Sequence, residues 1–158
     1  VDDLVSVCAA AAAAGPFCLG GDSAGAGIAL AAALQLGSEG GPKPQALALL
    51  CPFVRQLTSS PLSRAYVQGD SFDDPGASPL LADLSGLPPL FVQTGTADHL
   101  HAQAVSLVDR ARAAGVRAEA DTWDDLWHTW QYHRDIPEAD DALAAVRRFV
   151  LRTHASPG

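Results

Sequence analysis

Leu4, Val5, Val7 and Cys8 lead into six consecutive alanines, Ala9 to Ala14, before Gly15-Pro16 ends the run. Alanine is the strongest intrinsic helix former, so Asp2 to Ala14 is predicted as a helix with a defined stop. Phe17 to Gly21 follows as a short buried strand. Ser23 to Leu36 is apolar on nearly all sides, with Ile28, Leu30, Leu34 and Leu36 set among alanines. That pattern predicts a helix packed closely on a sheet and ended at Gly37. The loop Ser38 to Gln45 is punctuated by glycine and proline.

Ala46 to Leu50 is a continuous apolar run stopping at Cys51-Pro52, as expected of a strand buried on both faces. Residues 53 to 88, rich in Ser, Pro, Gly and Asp, are predicted as short helices and loops around a cleft. Leu90-Phe91-Val92 marks a third strand within Pro89 to Gly95. Leu100, Ala104, Leu107, Val108 and Ala111 then recur at helical spacing as far as Gly115. Val116, Ala118 and Ala120 alternate as in a half-exposed strand running to Trp123. Pro137 to Leu151 opens with proline at a first helical position and aligns Ala142, Leu143, Val146, Phe149 and Val150 on one face. Strand and helix therefore alternate, with connections long enough for crossovers, and the predicted fold class is α/β with a parallel sheet.

Composition narrows this picture. The 158 residues, 48% of them hydrophobic, are enough for one domain with a substantial core, so 1–158 is read as a single domain. Ten basic against eighteen acidic residues give a net charge of −8, which disfavours electrostatic binding to nucleic acid or to an anionic membrane. Cys8, Cys18 and Cys51 are odd in number, widely spaced and set in apolar runs, the pattern of buried free thiols in a reducing compartment. No basic leader opens the chain and no apolar run approaches the ~20 residues of a membrane span. A soluble, cytoplasmic location is expected. The sequence has no methionine and starts inside a helix, and it is expected to be the C-terminal part of a longer protein.

The candidate chemistry begins at Gly21-Asp22-Ser23-Ala24-Gly25. G-x-S-x-G at a strand-to-helix junction is what a nucleophile elbow requires, because a sharp turn lifts the serine hydroxyl above the end of the sheet. A side chain at Gly21 or Gly25 is expected to crowd that turn. The following helix offers its first free amides to developing negative charge, and the Ala24 N–H is the first candidate for an oxyanion hole. The other reading of the pentapeptide is a glycine-rich turn with an incidental serine.

Parallel sheets place their sites at the carboxyl ends of the strands. Ser23 follows the first strand, Asp98 the third and His128 the fourth. The order Ser, Asp, His is that of a hydrolase triad, in which an imidazole takes the hydroxyl proton and a carboxylate orients the imidazole. Locally, Asp98 also reads as a cap for the helix from Leu100, and His128 as a member of an aromatic cluster with Trp127 and Trp130. His133, Asp124 and Asp125 are weaker substitutes. His99 and His101 mimic an H-x-H metal pair but have no third ligand at a suitable spacing, and they read as surface histidines at a helix start.

With these residues in place, the chain resembles the hormone-sensitive lipase family of α/β-hydrolases, which includes many microbial carboxylesterases. The likeness rests on Gly21 to Gly25, Ser78-Pro79-Leu80, Leu84-Ser85-Gly86-Leu87-Pro88-Pro89, Gly95-Thr96-Ala97-Asp98, Ala114-Gly115-Val116 and Pro137-Glu138-Ala139. It implies Ser23 as nucleophile, His128 as general base and acid, Asp98 as orienting carboxylate and Ala24 as one oxyanion donor. It also implies hydrolysis of small acyl esters through an acyl-enzyme with no metal or cofactor. The sequence departs from the family where Ala26 replaces a usual glycine, Thr129-Trp130 replaces Gly-Phe, and His101 replaces a second aspartate. The segment from Pro52 to Ser78 looks shorter than the family's lid insertion. The family's N-terminal strands, HGGG-type oxyanion loop and part of its cap have no counterpart here, so a bare edge is expected beside the elbow strand. Two other readings follow: a non-catalytic small-ligand binding module like the related plant hormone receptors, or a chain that associates with a missing N-terminal segment or with further copies of itself.

Overall fold

The computed structural model describes residues 1–56, 60–67 and 71–155. Four parallel strands, β1 (Leu19–Asp22), β2 (Leu47–Leu50), β3 (Leu90–Gly95) and β4 (Ala118–Trp123), pair in the order β1-β2-β3-β4. The register sets Asp22 against Leu50, Leu50 against Gln93, and Gln93 against Asp121. β1 ends the sheet and, among the described residues, its outer side pairs with no strand. The bare edge expected beside the elbow strand is therefore present.

Among the described residues, five α-helices accompany the sheet: α1 (Asp2–Ala14), α2 (Ser23–Ser38), α3 (Pro61–Val67), α4 (His101–Ala113) and α5 (Pro137–Ala155). The two-residue period of a strand sorts the core. Leu47 and Leu49 of β2 and Leu90 and Val92 of β3 pack with Ala29, Leu30 and Ala33 of α2 and with Leu107 and Ala111 of α4. The small residues of α2 allow this close approach. Phe91, on the opposite face, meets Phe149 of α5 in a stacked pair at 5.2 Å. A third cluster, Cys51, Leu126, Trp130 and Ala142, lies beyond the carboxyl ends of the strands.

Most predicted elements are found within a few residues of their expected ends, and three details differ. α2 continues through Gly37 to Ser38, since one exposed glycine costs a helix only about 1 kcal/mol. β4 begins at Ala118, after Val116; Val116 and Ala118 are buried but Ala120 is exposed, because the strand is the far edge of the sheet. In α5, Leu143 is 45% exposed while Ala142 and Phe149 are buried. One residue is a 100° rotation, which carries Leu143 off the stripe that faces the sheet. Between β2 and β3 the chain forms α3 and a 3₁₀ turn at Pro79–Leu81; residues 57–59 and 68–70 of the predicted irregular segment lie outside the described residues. No described helix is long and apolar enough to cross a membrane.

Candidate active site

Each strand delivers one side chain to a common point: Ser23 after β1, Cys51 after β2, Asp98 after β3 and His128 after β4. The elbow comes first. Ser23 has φ 50°, a left-handed conformation rare for a residue with a side chain. It opens α2 directly from β1, and its carbonyl accepts the N–H of Phe53 at 3.0 Å. Asp22, the N-cap residue, makes no side-chain cap; its carboxylate accepts the Tyr132 hydroxyl at 2.8 Å instead. The first-turn amides of α2 are thus left without a side-chain acceptor from their own cap. Ala24 is exposed and lines the cleft beside Ser23.

The expected crowding holds for Gly21 and not for Gly25. A β-carbon at Gly21 would lie 2.5 Å from the carbonyl carbon of Gly25, whereas one at Gly25 would meet nothing within 4 Å. The tight contact is a backbone-on-backbone approach, so only the strand partner needs to lack a side chain.

Ser23 Oγ lies 2.9 Å from His128 Nε2, and His128 Nδ1 lies 3.0 and 3.1 Å from the two carboxylate oxygens of Asp98. The Asp98 side chain is fully buried. Burial pushes its carboxyl up, but the Leu100 N–H at 2.8 Å, His128 and the Cys51 thiol more than offset this and hold it below its ordinary value. Asp98 thus caps the turn into α4 and at the same time lies against the His128 ring. Gly95 makes the docking of the two loops feasible. A β-carbon there would strike the Leu126 carbonyl, which itself accepts the Ala97 N–H at 3.1 Å.

A cleft of about 390 Å³ opens in front of Ser23. Ala24, Ile28, Phe53, Pro79 and Leu100 supply apolar wall, and none of the described lining residues carries a fixed charge. His99, expected at the surface, is exposed but stands in this wall, with its ring 4.8 Å from that of His128 and Nδ1 3.4 Å from Asp98 Oδ1. His101 turns away to Thr94 Oγ1 at 3.4 Å. His133 packs edge-on against Trp127, and Asp124 and Asp125 are exposed. Among the described residues, the group close enough to share a cation is Cys51, Asp98 and His128, not the H-x-H pair. Burial pushes the Cys51 thiol up to about 12, so the sulfur keeps its proton at neutral pH.

Cys51 is the site residue that sequence reasoning passed over. Its sequence setting reads, like that of Cys8 and Cys18, as a buried free thiol; all three are free, with Cys8 buried and Cys18 only half-buried. The signal was nevertheless available, because Cys51 is the first residue after a strand, the position that drew attention to the other three.

A hydroxyl on a strand-to-helix elbow, joined through an imidazole to a buried carboxylate at the carboxyl ends of a parallel sheet, is the architecture of an α/β hydrolase. The chain belongs to the alpha/beta hydrolase fold family, which matches residues 3–132. An acetyl-hydrolase of Streptomyces hygroscopicus is 35% identical over 164 residues, covering 91% of this chain and 54% of that protein. An esterase of Acinetobacter venetianus is 29% identical over 153 residues, covering 84% and 50%. Among solved structures, an esterase of the bacterial hormone-sensitive lipase family superposes with a TM-score of 0.82 at 36% identity, over 86% of this chain and 52% of that one. An esterase/lipase from an uncultured bacterium gives 0.83 at 28% identity, over 87% and 53%. The hormone-sensitive lipase resemblance drawn from the motifs is thus found independently in the first of these structures. The chain spans about half the length of the proteins it matches.

Proposed function

We propose that this chain carries the nucleophile, base and acid of a serine carboxylesterase acting on small acyl esters. The observation that carries this reading is the unbroken line from Ser23 Oγ through His128 to the buried Asp98, at 2.9 Å and 3.0 Å. His128 Nε2 takes the hydroxyl proton as Ser23 attacks the ester carbonyl, and Asp98 stabilises the imidazolium that forms. The Ala24 amide faces the oxyanion. His128 then returns the proton to the leaving alcohol, and water attacks the acyl-serine by the same route. The apolar cleft suits the acyl group, and the acetyl-hydrolase and esterase names of the relatives favour short chains.

The test uses the complete protein and p-nitrophenyl acetate. The expected result is a burst of p-nitrophenol, labelling of Ser23 by an organophosphonate, and loss of both in Ser23→Ala. Tight ligand binding without turnover in the parent protein would decide for a receptor-like module, and hydrolysis surviving Ser23→Ala would remove the nucleophile assignment.

A further inference from the structure

We propose that Cys51 is a positioning residue for this hydrolysis: its thiol joins the Asp98 carboxylate to the loop that carries His128 and so fixes the acid end of the triad. The inference rests on the triad reading above and adds to it a fourth strand end.

Cys51 has the backbone of a residue placed for its side chain. It follows β2 directly, donates its N–H to the Gln93 carbonyl at 2.7 Å, turns to φ 46°, and is fully buried. Left-handed backbone at a non-glycine residue costs about 1–3 kcal/mol and persists only where its surroundings demand it. Among the described residues, the other non-glycine positions with positive φ are Ser23, Asp125 and Thr129. All four lie at the carboxyl ends of the strands, within the loops that form the site.

The thiol meets both halves of the site. Its Sγ accepts the N–H of Thr129, the residue after His128, at 3.3 Å. It also lies within 4.8 Å of an Asp98 carboxylate oxygen and a His128 ring nitrogen. A thiol has one proton to give, and two acceptors are in reach: the Gln131 side-chain oxygen at 3.8 Å and the Asp98 carboxylate. The ionised group is the stronger acceptor and takes it. Burial keeps that proton on sulfur at neutral pH, since the thiol is pushed up to about 12. Cys51 therefore receives from the histidine loop and donates to the aspartate, so that displacement of one displaces the other. Among the described residues, Asp98 and His128 are the titratable groups beside the thiol, and His99 in turn contacts both of them.

The alternative is that Cys51 only fills space among Leu126, Trp130 and Ala142. Steady-state hydrolysis of p-nitrophenyl acetate by the complete protein separates the two, with Ser23→Ala measured alongside. If Cys51 positions Asp98, Cys51→Ala lowers kcat about tenfold at nearly constant KM, the change expected for losing one hydrogen bond to a charged group. It also moves the acid limb of the pH profile upward, because a carboxylate stripped of a donor holds the imidazolium more tightly. Cys51→Ser restores kcat and returns the limb to its place or slightly below, since a hydroxyl is the stronger donor. Equal damage from Ser and Ala, or an unmoved limb in Ala, overturns the proposal in favour of packing. Should Cys51→Ala fail to fold, the low-field proton resonance of His128 Nδ1–H decides. It moves upfield in Cys51→Ser if the side chain bonds Asp98, and its staying in place overturns the proposal. Undiminished activity in Ser23→Ala removes the triad reading itself, and with it the role of Cys51, whatever the cysteine variants do.

Discussion

The backbone of Gly21 runs against that of Gly25 so closely that a β-carbon on the first would lie 2.5 Å from the carbonyl carbon of the second. The converse position is open, and the two glycines of one motif therefore carry unequal constraints. Gly21→Ala should destabilise the protein by about 3 kcal/mol or more, because neither backbone can yield without shifting the elbow. Gly25→Ala should be neutral or slightly stabilising, since it gives α2 a better helix former. Thermal melting of the two variants checks this, and equal losses would show that the contact is not where the constraint lies.

Thr129 adopts φ 56° and ψ 35° at the residue after His128, a conformation in which a β-branched side chain is an outlier. Thr129→Gly keeps the N–H that reaches Cys51 and removes the strain, and a gain of about 1 kcal/mol is expected. Denaturant midpoints provide the measurement; a clear loss of stability would mean that the threonine side chain contributes more than its backbone costs.

Gln93 is fully buried in β3 and uses its whole amide. Its nitrogen donates to Asp121 at 2.8 Å and to the Ala142 carbonyl at 3.0 Å, while its oxygen accepts from Gln131 at 2.8 Å. Gln93→Leu should cost about 2–3 kcal/mol, because Gln131 and the Ala142 carbonyl lose partners in a dry site. A variant as stable as the parent would show that water replaces the lost bonds.

Asp98 links stability to pH. Its carboxyl is held below the ordinary value of about 3.9, so its ionised form stabilises the fold above that pH, and the contribution is lost as pH falls through the folded value. Asp98→Asn should melt below the parent at neutral pH, with the difference shrinking in acid. In the proposed mechanism the same change lowers kcat by about 10³- to 10⁴-fold, because the imidazole loses its orienting charge. Melting curves across acidic pH and a rate at neutral pH test the two statements separately; a melting difference independent of pH would contradict the linkage.

Tyr132 donates its hydroxyl to Asp22 at 2.8 Å, and that bond to a carboxylate raises the phenol above its ordinary value. The neutral phenol therefore supports the fold below about pH 10, and the support is lost above the raised value. Ultraviolet titration should show a late-ionising tyrosine that Tyr132→Phe removes; an unchanged titration curve would mean the bond does not persist in solution.

The elements were legible because their signals are local. Alanines from Ala9 to Ala14 before Gly15-Pro16, the continuous run from Ala46 to Leu50 and the four-residue spacing from Leu100 each report how one element is buried, and a helix or strand carries that information in its own period. The same locality made Ser23, Asp98 and His128 readable as residues that follow strands.

How those strand ends meet depends on the packing of the whole chain. The order β1-β2-β3-β4 and a register that sets Leu50 beside Gln93 bring Cys51 between Asp98 and the His128 loop, although these residues are 47 and 77 positions apart. The same placement turns His99 onto His128 and divides Gly21 from Gly25 in importance. No period along the chain encodes such meetings, because they depend on distances between backbones that are set by other elements. The residue types at the site were thus determined by the sequence at each strand end. Which of them touch, and how tightly, was determined by the packing of the whole sheet.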